Sequence, residues 1–308
     1  MDVMKTDKNT ICRIKSALLI SPLLAVAAVF CGSCDGDNVI YAEPQLVVEG
    51  WIDAGGHPIV LLSKTIQPSM EYQDMSVLND YAVRDARVVV NDGQRDYVLT
   101  GRQDDNYLPD FVYTSEELTG EAGKEYTLTV DYDGHHAVAV TTVPAPVGIS
   151  FFKIKPKDGA DSLYGINAFF EDDKAEGNYY KFFVKIEGKD KFYLSSFLGL
   201  INGSVLGDDT EVPVYKGVKI PWDEFESFYY PDEVVNIKFA HIDEVSYNYW
   251  NDFEELASFS RNPFFFVDSK IRSNIDGGQG YWAGYGAMEY RIDLAECIRN
   301  GNYIIQCE

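Results

Sequence analysis

Short runs of alternating apolar and polar residues, each ended by glycine, proline, asparagine or aspartate, recur along this chain. A period of two points to strands, not helices. The first is Gln45–Ile52, interrupted by Gly50, and Ile59–Thr65 follows the turn residues Gly55, Gly56 and Pro58. Ala86–Val90, the turn Asn91-Asp92-Gly93 and Asp96–Thr100 read as a hairpin. Glu125–Val130 alternates strictly, and Asp133-Gly134 turns it into Ala137–Thr141. Ser69–Tyr81 reads as a long polar loop and Thr114–Leu118 as one helical turn. About seven strands at this spacing predict an immunoglobulin-like β-sandwich over residues 45–143. The 21 tyrosines and 18 phenylalanines agree, because flat rings pack well on a pleated surface.

Residues 144–148, with Pro144 and Pro146, read as a stiff linker. Residues 149–308 then read as a second β-rich domain. Its strands are Ile149–Ile154, Gly165–Phe170, Asn178–Ile186, Phe192–Ser195 and Val234–Ile242. Its one helix spans about Glu244 to Phe259, where Trp250, Phe253, Leu256 and Ala257 recur at helical spacing and make an amphipathic stripe. The expected fold is mainly β: an N-terminal sandwich followed by a β-rich domain carrying one helix.

The N-terminus constrains the compartment. Lys5, Lys8, Arg13 and Lys15 precede the apolar run Ser16–Phe30, which is shorter than the ~20 residues of a spanning helix and is interrupted by Pro22. It ends in Cys31-Gly32-Ser33-Cys34-Asp35, which resembles a bacterial lipobox, with small residues before the cysteine that becomes acylated. Cys31 is a rival site, but the bulk of Phe30 disfavours cleavage there. Residues 1–33 are therefore expected to be a lipoprotein signal peptide, Cys34 the lipidated residue and 34–44 a tether. The alternatives are an ordinary signal peptide or an uncleaved anchor. Asp35-Gly36-Asp37-Asn38 resembles the acidic surface-export signal of Bacteroidota lipoproteins. The expected location is the outer membrane of a Gram-negative bacterium, on the periplasmic or cell-surface side, with the surface preferred.

With Cys12 and Cys31 in the leader and Cys34 acylated, Cys297 and Cys307 remain as an even pair in an oxidising space. The turn-like Arg299–Asn302 between them leads us to expect a disulfide across a hairpin. Two buried free thiols are the alternative, and a metal site is the least supported.

Charge excludes one class of partner. The chain carries a formal charge of -23, and losing the leader (four basic residues against Asp2 and Asp7) makes the remainder more acidic still. Such a surface repels phosphates, so no nucleic acid is expected. The four histidines, His57, His135, His136 and His241, show no zinc-site spacing, and adjacent His135 and His136 would point to opposite faces of a strand. No serine sits in a nucleophile elbow, and the glycine run Gly277–Gly286 has the wrong spacing for a dinucleotide loop. Asp131-x-Asp133-Gly134, Asp104-Asp105-Asn106 and Asp208-Asp209 do not match an EF-hand and read as turns. Neither a metal nor a cofactor is expected. The rings of Tyr281, Trp282 and Tyr285 are candidate ligand contacts, as a stacking platform for a sugar or peptide. The competing reading is that they complete the second core around a glycine-rich turn.

A wider resemblance rests on several segments in order: Leu46–Ile52, Leu62–Thr65, Gly123–Leu128, Asn178-Tyr179-Tyr180, Asn262-Pro263-Phe264 and above all Ser273-Asn274-Ile275-Asp276-Gly277-Gly278-Gln279-Gly280-Tyr281-Trp282-Ala283-Gly284-Tyr285. Together they resemble the Bacteroidota lipoprotein family known as domain of unknown function 4249, across nearly all of the chain beyond the leader. Gly199–Ile220 departs from the family pattern. The resemblance implies an envelope lipoprotein, often encoded beside a TonB-dependent outer-membrane transporter, and implies no catalytic residues. The expected function is that of a membrane-anchored, non-enzymatic accessory or ligand-capture partner of such a transporter. The alternatives are an envelope hydrolase with an unrecognised carboxylate site, or a structural or adhesive surface protein.

Overall fold

The structure, a computed structural model, describes residues 44–65, 75–159, 162–172, 177–207, 210–218, 226–259 and 271–307. The leader, Cys34, Asp208-Asp209, Asn262-Pro263-Phe264 and residues 69–74 lie outside them; the rest of the segment expected as a loop, Met75–Tyr81, is a 3-10 helix. The fold is mainly β.

The first part is a sandwich. Strands β1 (Leu46–Asp53), β2 (Ile59–Lys64), β5 (Thr100–Gln103) and β6 (Phe111–Thr114) lie in the order β1-β2-β6-β5. Facing them are β3 (Arg87–Asn91), β4 (Asp96–Val98), β7 (Glu125–Tyr132) and β8 (His135–Thr142), in the order β4-β3-β7-β8. These orders match immunoglobulin strands A-B-E-D and C′-C-F-G. The alternation read from sequence is what fills the space between the sheets: Val48, Ile52, Val60, Leu62, Val88, Val90, Tyr126 and Leu128 all point inward and are buried.

Two hairpin turns carry their own reasons. Asp133 (φ 48°) and Gly134 (φ 77°) adopt the left-handed conformations of a two-residue turn, which explains the Asp131–Gly134 cluster without a cation. Asp104 Oδ1 accepts from the Asn106 backbone N–H at 3.1 Å, an Asx turn. Among the described residues no group of three or more His, Cys, Asp or Glu is placed to hold a metal ion.

Asp92, 7% exposed in the β3–β4 turn, accepts from Lys124 Nζ at 2.9 Å and from the N–H groups of Arg95 at 2.8 Å and Gln94 at 3.0 Å. The Lys124 bond and these backbone donors hold its carboxyl down at about 2. A depressed folded value contributes stability above the unfolded range, and that contribution is lost as pH falls toward 2. Asp92→Asn is therefore expected to lower the thermal midpoint at pH 7, with the difference from wild type closing between pH 4 and pH 2 in a melting series.

The second part is a second sandwich. One wall is β9 (Phe151–Pro156), β10 (Tyr164–Phe169), β13 (Val212–Val214) and β16 (Ile304–Gln306), in the order β13-β10-β9-β16. The other is β11 (Tyr179–Ile186), β12 (Leu194–Asn202), β14 (Val234–Ile242) and the 15-residue β15 (Gln279–Asp293), in the order β12-β11-β14-β15. Phe152, Ile166, Tyr180, Phe182, Ile237 and Phe239 form the core between them. The helix α1 spans Glu244–Phe259, where the apolar stripe places it, and the shorter α2 spans Leu294–Asn300.

The proline linker separates two cores but not two independent domains. β15 runs parallel to β1 through the register Val47↔Gln279 to Asp53↔Tyr285, so one eight-stranded sheet crosses the expected boundary at 144–148. Residues Pro44–Glu308 form one compact unit. The linker is also held down, because His241 Nδ1–H donates to the Ala145 carbonyl oxygen at 2.9 Å.

The glycine-rich run is thus strand from Gln279 onward, with only Gly277 and Gly278 forming the turn that leads into it. A Cβ on Gly284 would lie 2.4 Å from the Thr142 carbonyl oxygen, and one on Gly286 would lie 2.6 Å from that of Pro144. The glycines let β15 cross closely over the end of β8 and the linker.

The expected disulfide is not formed, and Cys297 and Cys307 are free thiols. Arg299–Asn302 is not a hairpin turn. It is the end of α2, N-capped by Asp293 and closed by Gly301 at φ 64°. Cys297 therefore sits on a helix and Cys307 beyond β16, both partly buried against the second core, where burial pushes the thiols up.

Candidate functional site

Strand alternation gives the long sheet two different faces. On β1, Leu46, Val48 and Ile52 enter the first core, so Glu49, Trp51 and Asp53 point the other way. The register Glu49↔Tyr281, Trp51↔Ala283, Asp53↔Tyr285 extends that second face onto β15. Ala240 and Ile242 of β14 and Phe183 of β11 continue it. Helix α1 covers it with Trp250, and Tyr249 and Phe253 pack alongside.

Charged groups are set into this aromatic layer. Lys181 of β11 is 0% exposed and pairs with Glu254 of α1, its ammonium 5.4 Å from the Trp250 ring centroid. Burial lowers the Lys181 pKa even with Glu254 beside it. Lys238 Nζ donates to both carboxylate oxygens of Asp53, at 2.7 and 2.6 Å, and lies 5.3 Å from the Tyr285 ring. Trp250 Nε1 donates to the Tyr285 hydroxyl at 3.2 Å. Helix and sheet are therefore joined by polar contacts as well as by packing.

Glu49 differs from Asp53 and Glu254. The Tyr281 hydroxyl donates to its Oε1 at 3.0 Å, but no lysine or arginine among the described residues pairs with it. Burial pushes the Glu49 carboxyl up, and the Tyr281 bond only partly opposes this. A raised folded pKa means stability that is complete below the unfolded value and is lost as pH rises through the folded one. Glu49→Gln is expected to melt with wild type near pH 4 and a few degrees above it at pH 8. Equal midpoints at both pH values would show that the carboxyl is not strained. Glu49 and Asp53 lie four residues apart on one strand, about 13 Å along it, which is too far for the paired carboxyls of a glycosidase.

A cavity of about 240 Å³ opens beside Glu49's tyrosine partner. One wall is the first half of α1, with Ser246, Asn248 and Tyr249. The other includes Arg272, Asn274 and Tyr281. Asn274 fixes this second wall, accepting from the Trp282 N–H at 3.0 Å and donating to the Trp282 carbonyl oxygen at 2.8 Å. Arg272 is held by Asp252, at 2.7 Å from Nε and 2.6 Å from Nη2, and Nη2 also reaches the Asn248 carbonyl oxygen at 3.2 Å. The rings of Tyr249 and Tyr281 are 4.5 Å apart between centroids, tilted by 45°. Burial, and then the charge of Glu49, raises both phenols. A separate cavity of about 300 Å³ lies between Phe170, Asp172 and Leu206, where Asp172 accepts from the Tyr180 hydroxyl at 2.6 Å.

The three rings singled out from sequence do not form an exposed platform. Tyr281, Trp282 and Tyr285 are 6%, 0% and 2% exposed. Because the segment is a strand, Trp282 points into the first core, with Nε1 donating to the Tyr126 carbonyl oxygen at 3.0 Å, and the two tyrosines point to the opposite face. Tyr281 and Trp282 border the cavity, whereas Tyr285 faces Lys238 and Trp250. Glu49, Asp53, Lys181 and Lys238 carry no sequence signal because a lone charge within a strand reads as its solvent side, and Glu254 on α1 reads as a solvated helix charge in the same way.

The second wall of the cavity is the segment on which the family resemblance chiefly rests. No curated protein matches the chain. Residues 37–291 match the family described as Domain of unknown function (DUF4249), so the chain belongs to that family.

Proposed function

We propose that this protein is a lipid-anchored, non-enzymatic binding module of a Gram-negative envelope, of Bacteroidota type, that serves a TonB-dependent outer-membrane transporter. The observation that carries the reading is Cys34 in its lipobox-like setting, preceding a compact unit that begins at Pro44. Acyl chains on one cysteine hold such a unit at a membrane, each buried CH₂ contributing about 0.8 kcal/mol. A small cavity with aromatic and polar walls suits recognition of one chemical group.

Purification from native membranes in mild detergent tests the transporter role. The reading expects an outer-membrane transporter to copurify in near-stoichiometric amount, and to be lost when Cys34→Ser releases the protein from the membrane. Recovery of the lipidated chain alone would contradict it.

A further inference from the structure

The carboxyls between the sheet and its covering helix follow a pattern that is incomplete at one position. Asp53 has Lys238 and Glu254 has Lys181, each ammonium lying near aromatic rings. Glu49 shares the face and the aromatic surroundings but has no cation among the described residues. Tyr281, which donates to it, and Tyr249, whose phenol is raised by burial and then by the Glu49 charge, border the cavity. We propose that this cavity, whose lining residue Tyr281 donates to Glu49 behind it, is a binding site for an organic cation: an ammonium or guanidinium head on a short alkyl stem.

A cation over a tyrosine face is attracted by the ring quadrupole, most strongly where water is excluded. The Tyr281 hydroxyl donates to the Glu49 carboxylate, which polarises the phenol and makes its ring more electron-rich. A cation held against the Tyr281 ring, one side chain away from Glu49, also offsets part of the cost of burying that carboxyl. Arg272 on the rim does not oppose entry, since Asp252 neutralises it through two hydrogen bonds. The Ser246 hydroxyl and Asn248 carboxamide make no hydrogen bond to the described residues and line the same space, so they can orient the stem and head. The charge of -23 steers cations toward the protein as a whole.

The proposal deepens the binding-module reading and rests on it. Its test uses no transporter, so the two can fail separately. The full chain in detergent is titrated calorimetrically with n-butylammonium and n-butylguanidinium, and with n-butanol as the uncharged control, at about 0.15 M salt to screen the general field. N-acetyl-lysine methylamide and 1,4-diaminobutane present the same head as a partner's side chain and as a free amine. Tighter binding of either one supports the site and identifies its source.

Saturable binding of the cations is expected, at least tenfold weaker in Glu49→Gln. Asn248→Trp, which fills the cavity from its partly exposed wall, is expected to abolish binding without touching Glu49. Equal binding of n-butanol, unchanged affinity in both variants, or no saturable binding of any cation would overturn the proposal.

Discussion

Glu254→Ala is expected to lower the stability of the Pro44–Glu308 unit by about 3–5 kcal/mol, the cost of orphaning a buried charge. Lys181 is fully buried, and its carboxylate partner is the larger compensation for having taken an ammonium out of water. Without Glu254 the ammonium must either lose its proton or open a path to solvent beneath α1. Lys181→Met removes the charge while keeping a flexible chain of similar length against Phe183 and Trp250. The double variant Lys181→Met with Glu254→Ala is therefore expected to regain most of the loss, a non-additivity visible as a recovered urea midpoint. Additive losses would mean that packing, not charge pairing, holds the helix.

Trp282→Ala is expected to cost about 3–5 kcal/mol, as for other large aromatic truncations in a core. Its effect should be felt far away in sequence. The indole fills the first sandwich and donates to the Tyr126 carbonyl oxygen, 156 positions earlier, and its ring lies 2.9 Å from where a Cβ on Gly50 would be. Hydrogen exchange is expected to accelerate in β1 and β7 as well as in β15. Confinement of the change to β15 would indicate two independently folding halves.

Legibility followed the hydrophobic period. β1, β7 and β8 alternate, each with one face in a core, and their positions could be read to within about two residues. The stripe of α1 was equally plain. β15 was not, because six consecutive residues, Tyr281–Gly286, are buried on both faces and leave no alternation to read. Its glycines imitate a turn, yet Gly284 and Gly286 serve close approach of another backbone. β6, only four residues long, was missed between Asp110 and Ser115.

Helix α2 was legible in principle. Asp293 three residues before Glu296, with Gly301 after the last turn, is a start and a stop, whereas Cys297 and Cys307 on either side of Arg299–Asn302 imitate a bridged hairpin.

The site was the least legible part. Lys181 finds Glu254 across 73 positions by the packing of α1 on β11, and Lys238 finds Asp53 across 185 through the parallel β1–β15 pairing. Local pattern carries no trace of such pairing. What sequence did supply was the segment Ser273–Tyr285, which proved to be both the link between the sandwiches and a wall of the cavity.

All of the proposed biology depends on the chain being held at a membrane by its N-terminus. Mass spectrometry of the protein isolated from native membranes tests this directly. The account predicts a mature chain beginning at Cys34, with acyl chains on that cysteine and no residue from 1–33. A chain that begins elsewhere without lipid, or that keeps its leader, would contradict it.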